Sequence, residues 1–116
     1  MYLDGEYYSL YLRKSRYEFN NALEELDPYI LLKTILEPIL GIGDPRNDKR
    51  LDYTTEREGA CGIKEAVDSG DYAVGFSMIP VTVKEMKLVA DQGLTMPPKS
   101  TYILPKLRSG ITIYEF

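Results

Sequence analysis

The chain predicts an α+β fold, with three helices packed on a mixed or mostly antiparallel sheet of about four strands. Three observations lead there. Strand-type and helix-type patterns alternate along the 116 residues, but with connections too long and varied for regular βαβ units. Asp4-Gly5 sits between strand-like residues, and this pair is the preferred two-residue hairpin turn because both central positions need positive φ. Thr82-Val-Lys-Glu85 is a capping box, whose hydroxyl and carboxylate each satisfy a backbone donor at a helix start.

Taken in order, the hairpin leads into a strand over Tyr7–Arg13, with Tyr8, Leu10 and Leu12 on one face and Tyr7, Ser9, Tyr11 and Arg13 on the other. Only about three residues precede the turn, so the opening strand reads as cut short and residues 1–116 as a single domain from a longer protein. Lys14–Leu26 shows no clear period and is expected as loop. Asp27 as N-cap and Pro28 as first helical residue start a helix over Tyr29–Leu36. Ile30, Leu31, Leu32, Ile35 and Leu36, with Ile39 and Leu40 where it runs a little beyond, make it apolar on most sides, the pattern of a centrally buried helix. Pro38 should end or kink it, with Gly41 and Gly43 completing the exit.

After a polar loop, Leu51–Thr55 alternates as a half-exposed strand. A short helix is expected over Ala60–Ser69, with Ile63, Ala66 and Val67 on one face and Gly70 as its left-handed cap. Tyr72–Ile79 is the expected central strand. Tyr72, Val74, Phe76 and Met78 form its large face, and Ala73, Gly75 and Ser77 a small one that favours close helix packing over a ligand. In the capped helix Val81 and Met86 stand at staple spacing, Val83, Met86, Val89 and Ala90 form the buried stripe, and Gly93 is the stop. Ile111–Glu115 reads as a last strand.

Composition narrows the chemistry. Hydrophobic residues at 44% and charged ones at 28% place the chain among globular domains, and a formal charge of −4 argues against a general nucleic-acid surface. No apolar run approaches the roughly 20 residues of a membrane span, and no signal peptide opens the chain. Neither nucleic acid nor membrane is expected as a partner. One cysteine, Cys61, excludes an internal disulfide and fits a reducing cytoplasm. The absence of histidine matters most, because it removes a Ser-His-Asp triad, a His-based zinc site and an imidazole base.

The most distinctive stretch is residues 96–110, with prolines at 97, 98 and 105 that exclude ordinary helix and central strand. Lys99-Ser100-Thr101 is not a phosphate-binding loop, because no glycine upstream would turn amides around a phosphate. Lys99, Ser100, Thr101, Lys106 and Arg108 are nevertheless the candidate anion-binding set, as charge-assisted donors. Singly, each hydroxyl is better explained by bonding its own loop and each cation by standing in solvent; the cluster as a whole favours the anion contact. No catalytic or metal-ligating residue is assigned. Glu24-Glu25, Glu56/Glu58 and Asp68/Asp71 have no spacing that demands a metal, and Cys61 is read as packing.

Several segments together resemble the domain of unknown function 1015 family of bacterial and archaeal proteins. They are Leu26-Asp27, the run Ile35–Ile42 (Ile-Leu-Glu-Pro-Ile-Leu-Gly-Ile), Asp48-Lys-Arg50, Val67-Asp-Ser-Gly70, Phe76–Pro80, and above all Met96–Tyr102 with Pro105–Gly110. Ile103-Leu104 departs from the aromatic or charged pair usual there. The resemblance covers nearly the whole chain and corresponds to the C-terminal part of family members. Those carry upstream an Asp-Gly-His-His-Arg segment resembling that of ParB-like and free-serine-kinase proteins, which a chain without histidine does not contain.

The resemblance implies a C-terminal domain of a cytoplasmic protein, contributing to a nucleotide or anion site that upstream residues complete. The full-length protein is then expected to be a kinase-like phosphotransferase using ATP or ADP, with this chain inactive alone and holding no cofactor by itself. Partners implied are the upstream domain of the same polypeptide and a second copy in a homodimer. The alternative is a structural or protein-interaction module for docking or dimerisation, without catalytic role.

Overall fold

The computed structural model describes residues 1–13, 15, 17–54 and 59–101. Within them the fold is α+β, with an antiparallel three-stranded sheet and three helices, and the strands are very short. Strands β1 (Tyr2–Leu3) and β2 (Glu6–Tyr7) form the expected hairpin, with Tyr2 opposite Tyr7 and Leu3 opposite Glu6. Asp4 and Gly5 take φ of 50° and 83°, the signature of a type I′ turn whose twist matches the flanking strands.

Two strand expectations are corrected. The strand expected over Tyr7–Arg13 is formed at Tyr7 alone, as the end of β2, with Tyr8 exchanging backbone bonds with Met1 beyond it. Leu51–Thr54 is not a strand, because its donors are used locally. The Tyr53 N–H goes to Asp52 Oδ1 at 2.7 Å and the Leu51 N–H to the Asp48 carbonyl at 3.2 Å, in competition with a ladder.

Helix α1 (Asp27–Leu31) runs on into a π-helical segment over Leu32–Leu36. Its N-cap is Leu26 rather than Asp27: the Leu26 carbonyl already accepts from Tyr29 and Ile30, which places Asp27 inside the first turn beside Pro28. Pro38 acts as expected, by widening rather than by simple ending. Lacking an N–H and crowding the carbonyl four residues back, it shifts its neighbours to longer bonds: Glu37 to Leu32, Leu40 to Ile35 and Ile42 to Leu36. The expectation of a centrally buried helix is also corrected. Leu36 is buried, its apolar neighbours are half-buried, and Ile39 is 71% exposed.

Helix α2 (Gly59–Asp68) ends at Gly70 with φ 85°, the left-handed cap read from the sequence. β3 (Val74–Gly75) follows and pairs antiparallel with β1, giving the order β2-β1-β3. Tyr72–Ile79 therefore forms a two-residue strand at one side of the described sheet instead of its centre. Its start is delayed because the Tyr72 N–H is taken by the Ala66 carbonyl of α2, and its pairing on β1 is limited to Tyr2 and Leu3. The small face does what its residues suggest, since a methyl built on Gly75 would overlap Ile63 Cγ2 outright and meet Val67 Cγ2 at 3.6 Å. Helix and strand pack at a distance only glycine permits.

Helix α3 (Val83–Asp91) carries the capping box in both directions, Thr82 to the Glu85 backbone and Glu85 back to Thr82. Its end is a Schellman motif, with Leu94 bonding Val89 and Gly93 bonding Ala90. Val89 is fully buried, but Val83 and Ala90, both expected in the stripe, are exposed, Val83 by 77%. As the first helical residue Val83 leans toward the solvent side of the N-terminus, and the buried contact passes to Met86 and Val89. The core is small: Tyr2, Leu26, Leu36, Ile42 and Val89 are its buried apolar side chains among the described residues. The last strand, Ile111–Glu115, lies outside the described residues. No helix among the described residues is long and apolar enough to cross a membrane.

Candidate functional site

A cleft of about 920 Å³ opens between the α1–π helix, α2, β3 and the turn at residues 97–100. Its floor is apolar, made by Leu32, Leu36, Ile63, Val67, Val74 and Phe76. The large face of β3 expected from the sequence, Tyr72 to Met78, lies along it. A cleft of this size, with an apolar floor and polar groups along its walls, has the form of a small-molecule site.

One wall is the Pro97-Pro98-Lys99-Ser100 turn. The Ser100 N–H reaches the Pro97 carbonyl at 3.4 Å, and Lys99 has φ 58°. Proline at the second position and positive φ at the third are the pattern of a type II turn, where glycine or asparagine is usual. A lysine there costs about 1–2 kcal/mol of backbone strain. Ser100 is half-buried and donates its hydroxyl proton to the Pro97 carbonyl at 2.6 Å, so its hydrogen serves the turn first.

The candidate residues thus separate. Lys99 and Ser100 line the cleft together, Lys99 exposed and outside every ion pair among the described residues. Thr101 is exposed beside them. Lys106 and Arg108 lie outside the described residues.

Across the cleft the polar groups are mostly committed. Arg50 donates to Asp48 through Nε and Nη2, and its Nη1 and Nη2 also reach the Leu40 and Gly41 carbonyls at 3.1 and 3.0 Å, which closes the end of the widened helix. The guanidinium hydrogen bonds hold the Asp48 carboxyl down at about 2. Tyr72 Oη donates to Asp52 Oδ2 at 3.0 Å, which raises the phenol. The Tyr53 N–H and the Tyr72 phenol lower Asp52, while burial raises Tyr53. Carboxylates held low are ionised at neutral pH and unsuited to donating a proton. Ser69, also on the lining, donates its hydroxyl to the Ala66 carbonyl and to Asp71 Oδ2, each at 3.0 Å. Among the described residues no three Cys, Asp or Glu side chains converge as a metal site.

Sequence reasoning missed a second cluster at the α2–sheet junction. Tyr2, 1% exposed, donates its hydroxyl to Asp68 Oδ1 at 2.6 Å and accepts from Lys64 Nζ at 3.0 Å. Lys64 also pairs directly with Asp68 and lies 5.2 Å from the Tyr2 ring centroid. Hydrogen bonds from Lys64 and Tyr2 lower the Asp68 carboxyl. The spacing of four between Lys64 and Asp68 was a legible signal for the pair, whereas Tyr2, 66 residues from Asp68, was not. Every member is satisfied by another, so the cluster ties α2 to β1.

No family model matches this chain, and no curated protein or solved structure matches it.

Proposed function

We propose that this chain is the C-terminal domain of a cytoplasmic protein of the domain of unknown function 1015 family, and that its cleft is half of a site for a ligand with an apolar body and an anionic group, a nucleotide such as ADP or ATP. The observation that carries this reading is Lys99: a strained turn holds its cation beside Ser100 at the edge of a mostly apolar cleft of about 920 Å³. Strain of this kind persists where surrounding structure imposes it, and it gathers at ligand sites. An adenine-sized apolar body on the floor would bring phosphates toward Lys99, and groups from the upstream part of the polypeptide would supply the remaining charge and any catalysis. Cys61, expected as a packing residue, is instead exposed, and its free thiol fits the reducing compartment.

Isothermal titration with ADP, ATP and inorganic phosphate tests the reading, on this chain and on the longer protein. Lys99→Ala, which keeps the backbone cost but removes the charge, is expected to weaken nucleotide binding about tenfold. Unchanged affinity in the longer protein overturns the assignment.

The reading as a docking module is favoured by a different observation. Asp52, Glu65 and Asp71 line the cleft against Lys99 and Arg50, and the Arg50 charge is already met by Asp48. An apolar floor with an acidic edge suits an apolar polypeptide segment better than a polyphosphate. On this reading Pro97→Ala lowers the melting temperature, while Lys99→Ala leaves nucleotide titrations unaltered.

A further inference from the structure

Arg50 lines the same cleft as Lys99. An arginine carries five N–H groups in one plane, so the positions of their acceptors show which edges of the guanidinium are occupied. On one side edge, Nε donates to Asp48 Oδ1 at 3.0 Å and Nη2 to Asp48 Oδ2 at 2.6 Å. At the tip, Nη1 and the other hydrogen of Nη2 donate to the Leu40 and Gly41 carbonyls at 3.1 and 3.0 Å. Those bonds engage four of the five donors. The fifth is the second hydrogen of Nη1. In a planar fork it lies on the side edge opposite Asp48, and no described residue accepts from it.

We propose that Arg50 is the second anion-binding residue of the cleft, giving this fifth N–H to the anionic part of the ligand that Lys99 meets from the 97–100 turn. The proposal rests on the reading of the cleft as a nucleotide site and adds a contact which that reading does not contain. Asp48 meets the guanidinium charge without occupying the remaining edge, so an anion can approach without displacing it. The four bonds fix the plane of the side chain, so the donor is oriented before a ligand arrives and little rotamer freedom is lost on binding. Lysine could not take this place. Its three donors radiate from a point and could not hold a carboxylate and two carbonyls and still offer an N–H. Closing the end of the widened helix takes only the two tip donors. Because the Asp48 carboxylate stands beside the incoming anion, the contact has the strength of one hydrogen bond rather than of an unshared ion pair.

Isothermal titration of the longer protein with ADP and with adenosine, wild type beside Arg50→Lys, tests the proposal. Arg50→Lys keeps a cation but loses the fork. It is expected to weaken ADP binding about three- to tenfold, the worth of one hydrogen bond to a charged group, and to leave adenosine unchanged because adenosine has no phosphate. Equal loss for both ligands means that Arg50 only shapes the cleft, and it overturns the proposal. An ADP affinity that Lys99→Ala lowers and Arg50→Lys leaves unaltered also overturns it, while keeping the reading of the cleft. A wild type that does not bind ADP overturns both. If Arg50→Lys does not fold, the wild type decides: the Arg50 Nε–H NMR resonance should move on saturation with ADP and stay in place with adenosine. A resonance that ADP leaves unmoved removes Arg50 from the site.

Discussion

Helix α2 has two sides, and they meet their neighbours differently. Toward the sheet it closes: Gly75 lets Ile63 lie against the β3 backbone, Tyr2 is buried beneath it, and Lys64, Asp68 and the Tyr2 hydroxyl satisfy one another. Toward the α1–π helix it stays open, and Ile63, Ala66 and Val67 line the cleft with Leu32 and Leu36. The same short helix thus carries both a finished contact and an unfinished one. Complete polar satisfaction and shape fit mark the side that holds the domain together. Apolar surface without cover, beside a strained cation at Lys99, marks the side available to something else.

The sharpest way to break this comparison is to spoil the fit on the closed side. Gly75→Ala places a methyl on Ile63 Cγ2, and either the helix or the strand must move. The expected loss is about 1–3 kcal/mol, the range for overpacking a closed contact. Urea unfolding measures it, and pairing with Ile63→Ala should restore part of the loss, because the overlapping methyl is then gone. A loss below 0.5 kcal/mol, well under the overpacking range, would mean the contact is looser than the comparison requires. Tyr2→Phe is the milder probe: the buried ring stays and the hydroxyl goes, leaving Lys64 and Asp68 to each other. About 1 kcal/mol is expected, since both remaining partners reach water. Should Tyr2→Phe cost more than Gly75→Ala, the polar cluster and not shape would be what holds the closed side.

The closed side and the open side were also legible to different degrees. Signals carried within a few residues read through directly: the Asp4-Gly5 turn, the Thr82/Glu85 box, the Gly70 cap and the disturbance at Pro38. The bareness of Gly75 even indicated close helix packing. Strand length did not read through, because alternation states what a segment can do and a ladder needs a partner of equal length; β1 pairs over two residues, so β2 and β3 do too. The α1–π helix looked buried for a related reason. Its apolar residues state a need for cover, and the described fold meets it at Leu36 and leaves Ile39 exposed. At the candidate site, Lys99 and Ser100 were singled out from the proline-rich basic stretch, and the structure places both on the cleft lining. The Arg50 clasp and the bond from Tyr72 to Asp52 were not, since each depends on the path of the chain between distant turns.

That clasp supplies the smallest and most specific test, at the open side. Asp48 is held at about 2 against an ordinary 3.8, first by the Arg50 side chain and then by the Arg50 backbone. A depressed carboxylate contributes stability that is present above its unfolded value and lost as pH falls through its folded one. The contribution should therefore be whole above about pH 5 and fade toward pH 2. Asp48→Asn is expected to lower the melting temperature slightly at neutral pH, with the gap from wild type closing as pH drops through that window. The effect is small because the pair is open to water, which screens it. Its value lies in direction: Arg50 released from Asp48 becomes a second available cation on the cleft. If the cleft takes an anion, Asp48→Asn should tighten nucleotide binding while weakening the fold. If the cleft takes an apolar segment, the same variant should weaken the fold and leave nucleotide titrations flat.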